Sequence, residues 1–151
     1  MEEYSEISYK TFKFLISKNP AEKNIDAYVK DLKKRNVKAV VRVCQPTYDT
    51  EPLDGTSPGD DILESFFKIL KNQYDENPES CIAVHCIAGL GRAPVLIAVA
   101  LIELGYTYED AVELIRSKRR GAINTKQLEF LAKYKPKSRL KNDKKNSCSI
   151  Q

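Results

Sequence analysis

Cys86 and Arg92 are separated by five residues in a segment that can bind and attack a phosphate group. An apolar run leads into Cys86 and another follows Arg92, which predicts a strand, a loop and a helix. The loop amides can converge on one anion, toward which the helix points its positive end. The Arg92 guanidinium adds a planar fork for two phosphate oxygens. These positive surroundings favour the nucleophilic thiolate of Cys86. The predicted phosphate-binding residues, besides Arg92, are Ile87, Ala88, Gly89, Leu90 and Gly91.

The spacing of His85, Cys86 and Arg92 is the signature of cysteine-dependent phosphatases. A buried cysteine before an ordinary strand-to-helix turn is the alternative, which the loop glycines and the arginine disfavour. His85 is the only histidine of the chain. It either hydrogen-bonds within the loop and holds Cys86 in place, or is a core residue at the strand end. We expect no metal and no cofactor.

Position 93 modifies the expected activity. Cysteine phosphatases usually carry Ser or Thr after the arginine, and its hydroxyl stabilises the departing thiolate when phosphocysteine is hydrolysed. This chain has Ala93. A lost hydrogen bond to a charged group costs about 1.5–3 kcal/mol, which slows a step roughly 10- to 150-fold. We therefore predict that phosphocysteine forms readily and breaks down slowly.

The segment 85–94 resembles the phosphatase of regenerating liver family, also called protein tyrosine phosphatase type IVA. The resemblance extends to four further segments: Arg42-Val43-Cys44, Tyr48-Asp49-Thr50, Arg119-Arg120-Gly121-Ala122 and Cys148-Ser149-Ile150-Gln151. It implies an α/β fold, a single dual-specificity-phosphatase-like domain whose central, mostly parallel sheet is flanked by helices. It also implies slow hydrolysis of phosphoproteins, farnesylation, and binding of CNNM-type magnesium transport mediators through the catalytic face. The oligomeric state, including a homo-oligomer, stays open.

The general acid is predicted less directly. In the family an aspartate supplies the proton from a loop containing Trp-Pro-Phe-Asp-Asp-Gly, and the nearest match, Pro52-Leu53-Asp54-Gly55, assigns the role to Asp54. The tryptophan is absent, and the family has roughly a dozen more residues before this loop, about a strand plus a turn. We therefore expect a shortened segment between Thr50 and Pro52 and a sheet that lacks one strand, unless a splice or gene-model artefact explains the gap. Asp60 and Asp61 are the fallback proton donors.

Two other cysteines flank the predicted site. In the family, a cysteine matching Cys44 forms a reversible disulfide with the nucleophile, so the resemblance implies a regulatory disulfide between Cys44 and Cys86. From composition alone, Cys44 is a small buried hydrophobic residue. Cys81, inside the apolar run, is predicted to be a core residue. Four cysteines without an N-terminal apolar run suggest reduced thiols in the cytosol and no signal peptide.

The basic residues are concentrated at the carboxyl end. Residues 133–151 carry seven Lys or Arg against one Asp, a net charge of +6, whereas the whole chain carries +4 and residues 1–132 therefore sum to −2. This negative balance argues against nucleic-acid binding. The final Cys148-Ser149-Ile150-Gln151 is a C-a-a-X box whose Gln favours farnesylation of Cys148. A farnesyl chain and a polybasic segment together predict an anchor on an anionic membrane surface.

The tail also predicts a location. We expect prenylated and carboxyl-methylated protein at the cytoplasmic face of the plasma membrane and endosomes, and unprenylated protein in the cytoplasm or nucleus. Without Cys148, the lysines would indicate only a solvated, disordered tail. We assign residues 1–136 to one phosphatase domain and residues 137–151 to the disordered tail.

Hydrophobic periodicity predicts the elements that position these residues. Alternation over 7–16 predicts a strand or the start of a hairpin, and the β-branched run 37–44 predicts a buried central strand. Five helices are predicted. The first follows Asn24 and carries Ile25, Val29 and Leu32 on one face, and the second begins at Asp60 or Asp61. The other three cover 93–104, ended by Gly105; 107–118, capped by Thr107 and Asp110; and about 125–134.

Two functions fit these patterns. One is an enzyme, a slow membrane-anchored tyrosine or dual-specificity phosphatase that uses Cys86, Arg92 and Asp54. The other is a pseudophosphatase binding module that docks a magnesium-transport regulator and is controlled by phosphocysteine or disulfide formation. The loop side chains carry no charge, which favours phosphate monoesters over multiply phosphorylated lipids. A basic cluster either flanks the site or forms a solvated helix end: Arg116, Lys118, Arg119 and Arg120.

Overall fold

The computed structural model describes residues 4–10, 12–18, 20–42, 60–76, 80–86, 92–137 and 140. The strands are β1 (Tyr4–Tyr9), β2 (Phe12–Lys18), β3 (Val37–Arg42) and β4 (Cys81–Cys86). The helices are α1 (Ile25–Lys34), α2 (Asp60–Glu76), α3 (Arg92–Glu103), α4 (Tyr108–Lys118) and α5 (Thr125–Lys133), and a short 3-10 turn, Glu22–Asn24, precedes α1.

The described strands form one sheet in the order β1-β2-β4-β3. β1 and β2 are an antiparallel hairpin, whereas β4 runs parallel to both β2 and β3. This arrangement confirms the α/β fold with a mostly parallel central sheet, and of the two alternatives for 7–16, a strand or the start of a hairpin, the structure shows a hairpin. The register sets Lys18 opposite Cys86, and Arg42 opposite His85. The carboxyl ends of the three parallel strands therefore meet at one edge.

Side chains alternate between the two faces of the sheet, and each face has its own core. One face carries Phe14, Ile16, Ile82 and Val84, which pack with α2, α3, α4 and α5 in the larger core. The opposite face is covered by α1, in a small cluster of Leu15, Leu32, Cys81 and Ala83. Since β4 is buried on both faces, its sequence is apolar without alternation, as expected of a parallel strand.

The predicted buried central strand over 37–44 is wrong in its placement. β3 covers Val37–Arg42 and pairs, within the described part of the sheet, with β4 alone. Its residues alternate between half-buried and exposed, and Val40 keeps 48% of its surface exposed. A β-branched run reports strand propensity, but the number of neighbouring strands depends on topology.

The predicted inward face of α1 is also only partly right. Leu32 is buried, whereas Ile25 and Val29 are each 41% exposed. Asn24 occupies the N-cap position, but its side chain makes no capping hydrogen bond, because the preceding 3-10 turn already directs the chain into the helix. The helix packs on its small cluster of the sheet through Leu32 and Tyr28, and Ile25 and Val29 lie outside that cluster.

The other predicted helices are confirmed. α2 buries Leu63, Phe66, Phe67 and Leu70. Gly105 follows α3 with φ 120°, a conformation that other residues avoid. Thr107 Oγ1 accepts a hydrogen bond from the Asp110 amide at 3.1 Å and caps α4. A capping box that we did not predict begins α5, where the side chains of Asn124 and Gln127 each accept from the other's backbone amide.

The chain after α5 returns to the end of α3. The buried Glu103 accepts hydrogen bonds from the Tyr134 hydroxyl and the Lys137 amide, and Leu140 is buried in the larger core. The tail prediction falls mostly on residues 141–151, which lie outside the described residues. Among the helices described, none is long and apolar enough to cross a membrane.

Candidate active site

The predicted site lies at the carboxyl edge of the parallel strands. β4 ends with His85 and Cys86, and Lys18 and Arg42 end the strands on its two sides. In open α/β sheets, ligands bind in the crevice beyond this edge. The side chain of Cys86 and the predicted phosphate-binding residues 87–91 lie outside what the structure describes. So do Cys44, Asp54 and Cys148, and the side chains of Asp60 and Asp61.

α3 begins directly after the predicted phosphate-binding residues 87–91. Arg92 is its first residue and is half-buried, and every residue from Ala93 to Glu103 is buried. Pro94 fits here because the amides of a first helical turn have no intrahelical partner to lose. α3 is held by the core on all sides, and its positive amino-terminal end begins at Arg92, separated from Cys86 by five residues.

Ala93 is fully buried in the first turn of this helix. It has no polar side-chain atom, so this position donates no side-chain hydrogen bond toward the loop. The closeness of position 93 to the end of β4 follows from the short connection, five residues between Cys86 and Arg92. The observed burial agrees with a site shielded from water.

His85 is buried on the face of the sheet that α1 covers, with 5% of its surface exposed. The Tyr28 ring of α1 meets the imidazole edge to face, with 6.2 Å between the ring centroids. Burial lowers the pKa of His85 from its ordinary 6.5, and the Arg42 charge lowers it further. Among the described atoms none forms a hydrogen bond with Nδ1. The buried imidazole is therefore neutral at pH 7.

A polar cluster that the sequence did not reveal lies on the same face of the sheet as this histidine and contacts it through Tyr28. The hydroxyls of Tyr28 and Ser17 share a hydrogen bond of 2.8 Å, and the Tyr4 hydroxyl donates to Asp31 at 3.0 Å. The rings of Tyr4 and Tyr28 are stacked with 6.2 Å between centroids. These residues come from β1, β2 and α1. No local spacing marks them, because only the fold brings them together.

The basic cluster after α4 has a structural role. Arg116 donates to the carbonyls of Ala122 and Ile123 at 3.0 and 2.8 Å, and Arg119 is buried with a hydrogen bond to Ser5 Oγ of 2.9 Å. Lys118 and Arg120 are exposed. Neither predicted alternative describes Arg116 and Arg119, which tie the end of α4 to the following turn and to β1.

Cys81 is confirmed as a core residue, 1% exposed at the start of β4. Burial raises the pKa of its thiol to about 11, with a further contribution from Glu6. The thiol is therefore protonated and unreactive at neutral pH. Over the described ranges, no three His, Cys, Asp or Glu side chains are grouped as metal ligands would be.

Comparisons with known proteins agree with this geometry. Residues 2–134 match the protein-tyrosine phosphatase family. The chain is 56% identical to the PRL-1 phosphatase of Drosophila melanogaster, covering 96% of this chain and 91% of that protein. It is 50% identical to human protein tyrosine phosphatase type IVA 3, covering 90% of this chain and 86% of the human protein. A solved structure described as a Leishmania major protein tyrosine phosphatase superposes with TM-score 0.74 at 39% identity, covering 89% of this chain and 99% of that one.

The neutral state of His85 predicts how stability depends on pH. Because its pKa is lower in the folded state, the unfolded chain binds more protons once the pH falls below about 6.5. The free energy of unfolding should therefore decrease between pH 7.5 and 5.5, and decrease less in His85→Asn. Urea unfolding at several pH values measures the free energy of unfolding of the parent protein and of His85→Asn.

Proton NMR provides the independent check, because the chain has one histidine and its imidazole signals are unambiguous. A midpoint below 6.5 is expected in the folded protein. A titration midpoint at or above 6.5 would contradict the assignment of a neutral His85. So would an unfolding free energy that depends equally on pH in the parent protein and in His85→Asn.

Proposed function

The chain belongs to the protein tyrosine phosphatase type IVA family and is a protein tyrosine phosphatase, and we propose that it acts slowly, from a membrane anchor, through a phosphocysteine on Cys86. The observation that carries this proposal is the placement of the strand end and the helix start. His85 and Cys86 end the strand that lies between two parallel neighbours, and Arg92 begins the buried helix that follows.

The proposed reaction has two steps. In the first, the Cys86 thiolate attacks the phosphorus of a phosphotyrosine in a protein substrate, the P–O bond breaks, and the phenolate leaves with a proton from Asp54. The loop amides of residues 87–91 and the Arg92 guanidinium hold the phosphate oxygens. In the second, water attacks the phosphocysteine, the P–S bond breaks, and inorganic phosphate leaves.

The second step is the slow one in this proposal. The thiolate that departs from phosphorus is stabilised by the helix start and the loop amides, but position 93 adds no hydroxyl. Restoring one hydrogen bond to a charged group is worth about 1.5–3 kcal/mol. The buried setting of Ala93 supports the assignment, since a bond there would not compete with bulk water.

Asp54 is the proposed acid in a shortened segment. The identity with the fly phosphatase is counted over 160 residues, more than the 151 of this chain, so some residues of that relative have no counterpart here. This supports a gap such as the one inferred between Thr50 and Pro52. Asp60 and Asp61 stay as the fallback donors, although they begin α2, where the helix dipole stabilises carboxylates without any catalytic role.

The proposed location follows from the tail. Farnesyl on Cys148 and the basic residues of 133–151 would hold the protein at the cytoplasmic face of the plasma membrane and endosomes. The loss of prenylation would leave it in the cytoplasm or nucleus. The chain after α5 is attached at Glu103, the end of α3 that lies away from Arg92.

We propose docking of a CNNM-type magnesium transport mediator as a second function. Ala93 favours it, because slow hydrolysis of the phosphocysteine makes rapid catalysis a poor account of the site. A phosphocysteine that persists would also switch docking off, by keeping the same pocket closed to a partner. A disulfide between Cys44 and Cys86 would close the pocket in the same way under oxidising conditions. The phosphocysteine and the disulfide would each switch partner binding off, so the slow enzyme would also act as a regulated binding module.

The first prediction concerns Ala93→Ser. After incubation of reduced protein with an aryl phosphate, intact mass should show a phosphoryl adduct on the parent and none on Cys86→Ser. Ala93→Ser should shorten the lifetime of the adduct and raise steady-state turnover roughly 10- to 150-fold. Ala98→Ser is the matched control, because it buries a hydroxyl in the same helix away from the loop. An unchanged rate in Ala93→Ser would refute the role of position 93.

The second prediction concerns Asp54→Ala. The proton donor matters most for poor leaving groups, so the variant should form the adduct from phenyl phosphate 10²- to 10⁴-fold more slowly, about the usual contribution of a general acid. Adduct formation from an activated nitrophenyl ester should change far less. Equal rates for parent and variant with phenyl phosphate would transfer the role to Asp60 or Asp61.

The third prediction concerns the anchor. Cys148→Ser should move the protein from the membrane fraction to the soluble fraction of cells, with aryl phosphatase activity of the purified protein unchanged. Ser149→Ala, which keeps the prenylated cysteine, is the control and should stay membrane-bound. Persistent membrane association of Cys148→Ser would contradict the proposed anchor.

A further inference from the structure

A cavity of about 430 Å³ opens beside the candidate active site, between the end of β2 and α1. We call it the Tyr4–Tyr28 cavity. Its described lining comes from β1, β2, α1 and the chain before α1, and the reaction described above does not use these residues. Its lining combines two aromatic rings, a carboxylate, an ammonium group and a hydroxyl from Tyr4, Tyr28, Asp31, Lys18 and Ser17.

The cavity lies close to the nucleophile. Lys18 pairs with Cys86 across neighbouring parallel strands, which are about 4.8 Å apart. Tyr28, on the wall of the cavity, also contacts His85, the residue before the nucleophile. A peptide whose phosphotyrosine reaches Cys86 would therefore have a neighbouring residue within reach of the cavity.

The walls favour a planar cation. Asp31 is half-buried and accepts a hydrogen bond from the Tyr4 hydroxyl at 3.0 Å, and a carboxylate has about four acceptor positions, so it can accept more. The rings of Tyr4 and Tyr28 stack on each other, and both residues line the cavity, where aromatic surface attracts a guanidinium group. Outside the cavity, Arg35 already lies 4.8 Å over the Tyr4 ring, so this ring is compatible with a guanidinium contact.

Resting on the proposed function, we propose that the Tyr4–Tyr28 cavity binds an arginine side chain that flanks the phosphotyrosine of a polypeptide substrate. Asp31 is its ion-pair partner, and the hydroxyls of Tyr28 and Ser17 form the polar wall next to it. Lys18 is exposed, so its ammonium group can turn toward solvent. The cavity thus makes the enzyme selective for basic sequences beside the phosphotyrosine.

A phosphopeptide scan tests this proposal on the full-length protein. Peptides with one phosphotyrosine carry a single Arg, Ala or Glu at each of the three positions on either side. The ratio of kcat/KM values reports discrimination between substrates. At one position, the kcat/KM value for the Arg peptide should exceed that for the Ala peptide by about tenfold. A tenfold ratio corresponds to about 1.4 kcal/mol, which one partly exposed charged hydrogen bond can supply.

Asp31→Asn is the decisive variant, because it keeps the acceptor for Tyr4 and removes the charge. It should bring the Arg-to-Ala ratio close to one and leave the hydrolysis of a small aryl phosphate unchanged. Asp26→Asn is the matched control, since Asp26 is exposed on the same helix and does not line the cavity. It should keep the preference.

The outcomes separate this inference from the proposed function. A protein that neither forms an adduct with aryl phosphate nor hydrolyses it would refute the proposed catalysis. The affinity of Cys86→Ser for the same peptides, measured by calorimetry, would still support the cavity if it shows the Arg preference. An equal ratio at every position in parent protein, or equal losses in Asp31→Asn and Asp26→Asn, would overturn the cavity assignment.

Discussion

β4 pairs with a parallel strand on each side, and the remaining parts of the site depend on this pairing. Parallel strands point their carboxyl ends the same way, so β2, β3 and β4 end at one edge of the sheet. Cys86 stands at the middle of that edge, with Lys18 and Arg42 ending the strands beside it. The backbone hydrogen bonds of the sheet thus position the backbone of Cys86, the proposed nucleophile, before any side chain contributes.

α3 is the second constraint, since it is apolar on all sides and must be buried on all sides. A helix held so completely has a fixed start, and Arg92 and the first-turn amides form the end that the proposed reaction uses. Its other end, Glu103, receives the chain that returns after α5. Twelve residues at 1.5 Å per residue keep the two ends about 17 Å apart. Phosphate chemistry and the basic tail are therefore served by opposite ends of one helix.

The face of the sheet that α1 covers carries a cluster of buried and half-buried polar side chains. His85 is buried there without charge, next to the Tyr28 ring, and the Tyr28–Ser17 and Tyr4–Asp31 hydrogen bonds satisfy neighbouring polar atoms. Buried polar atoms are tolerated when they are paired in this way. The same paired residues line the Tyr4–Tyr28 cavity, and Tyr28 belongs both to the cavity wall and to the surroundings of His85.

By itself the sequence determined β-structure over 7–16, the helices α2 to α5, the buried Cys81, and a strand ending at Cys86 with a helix starting near Arg92, because periodicity and short spacings are local properties. Tertiary structure decided the position of β3 at the end of the described sheet, the exposure of Ile25 and Val29, the burial of Arg119, and the meeting of Tyr4, Ser17 and Tyr28 near His85. These depend on which surfaces meet after the chain folds. Residues far apart in sequence carry no spacing that reveals such a meeting, since the free energy of burial and pairing is set by neighbours that only the assembled fold supplies.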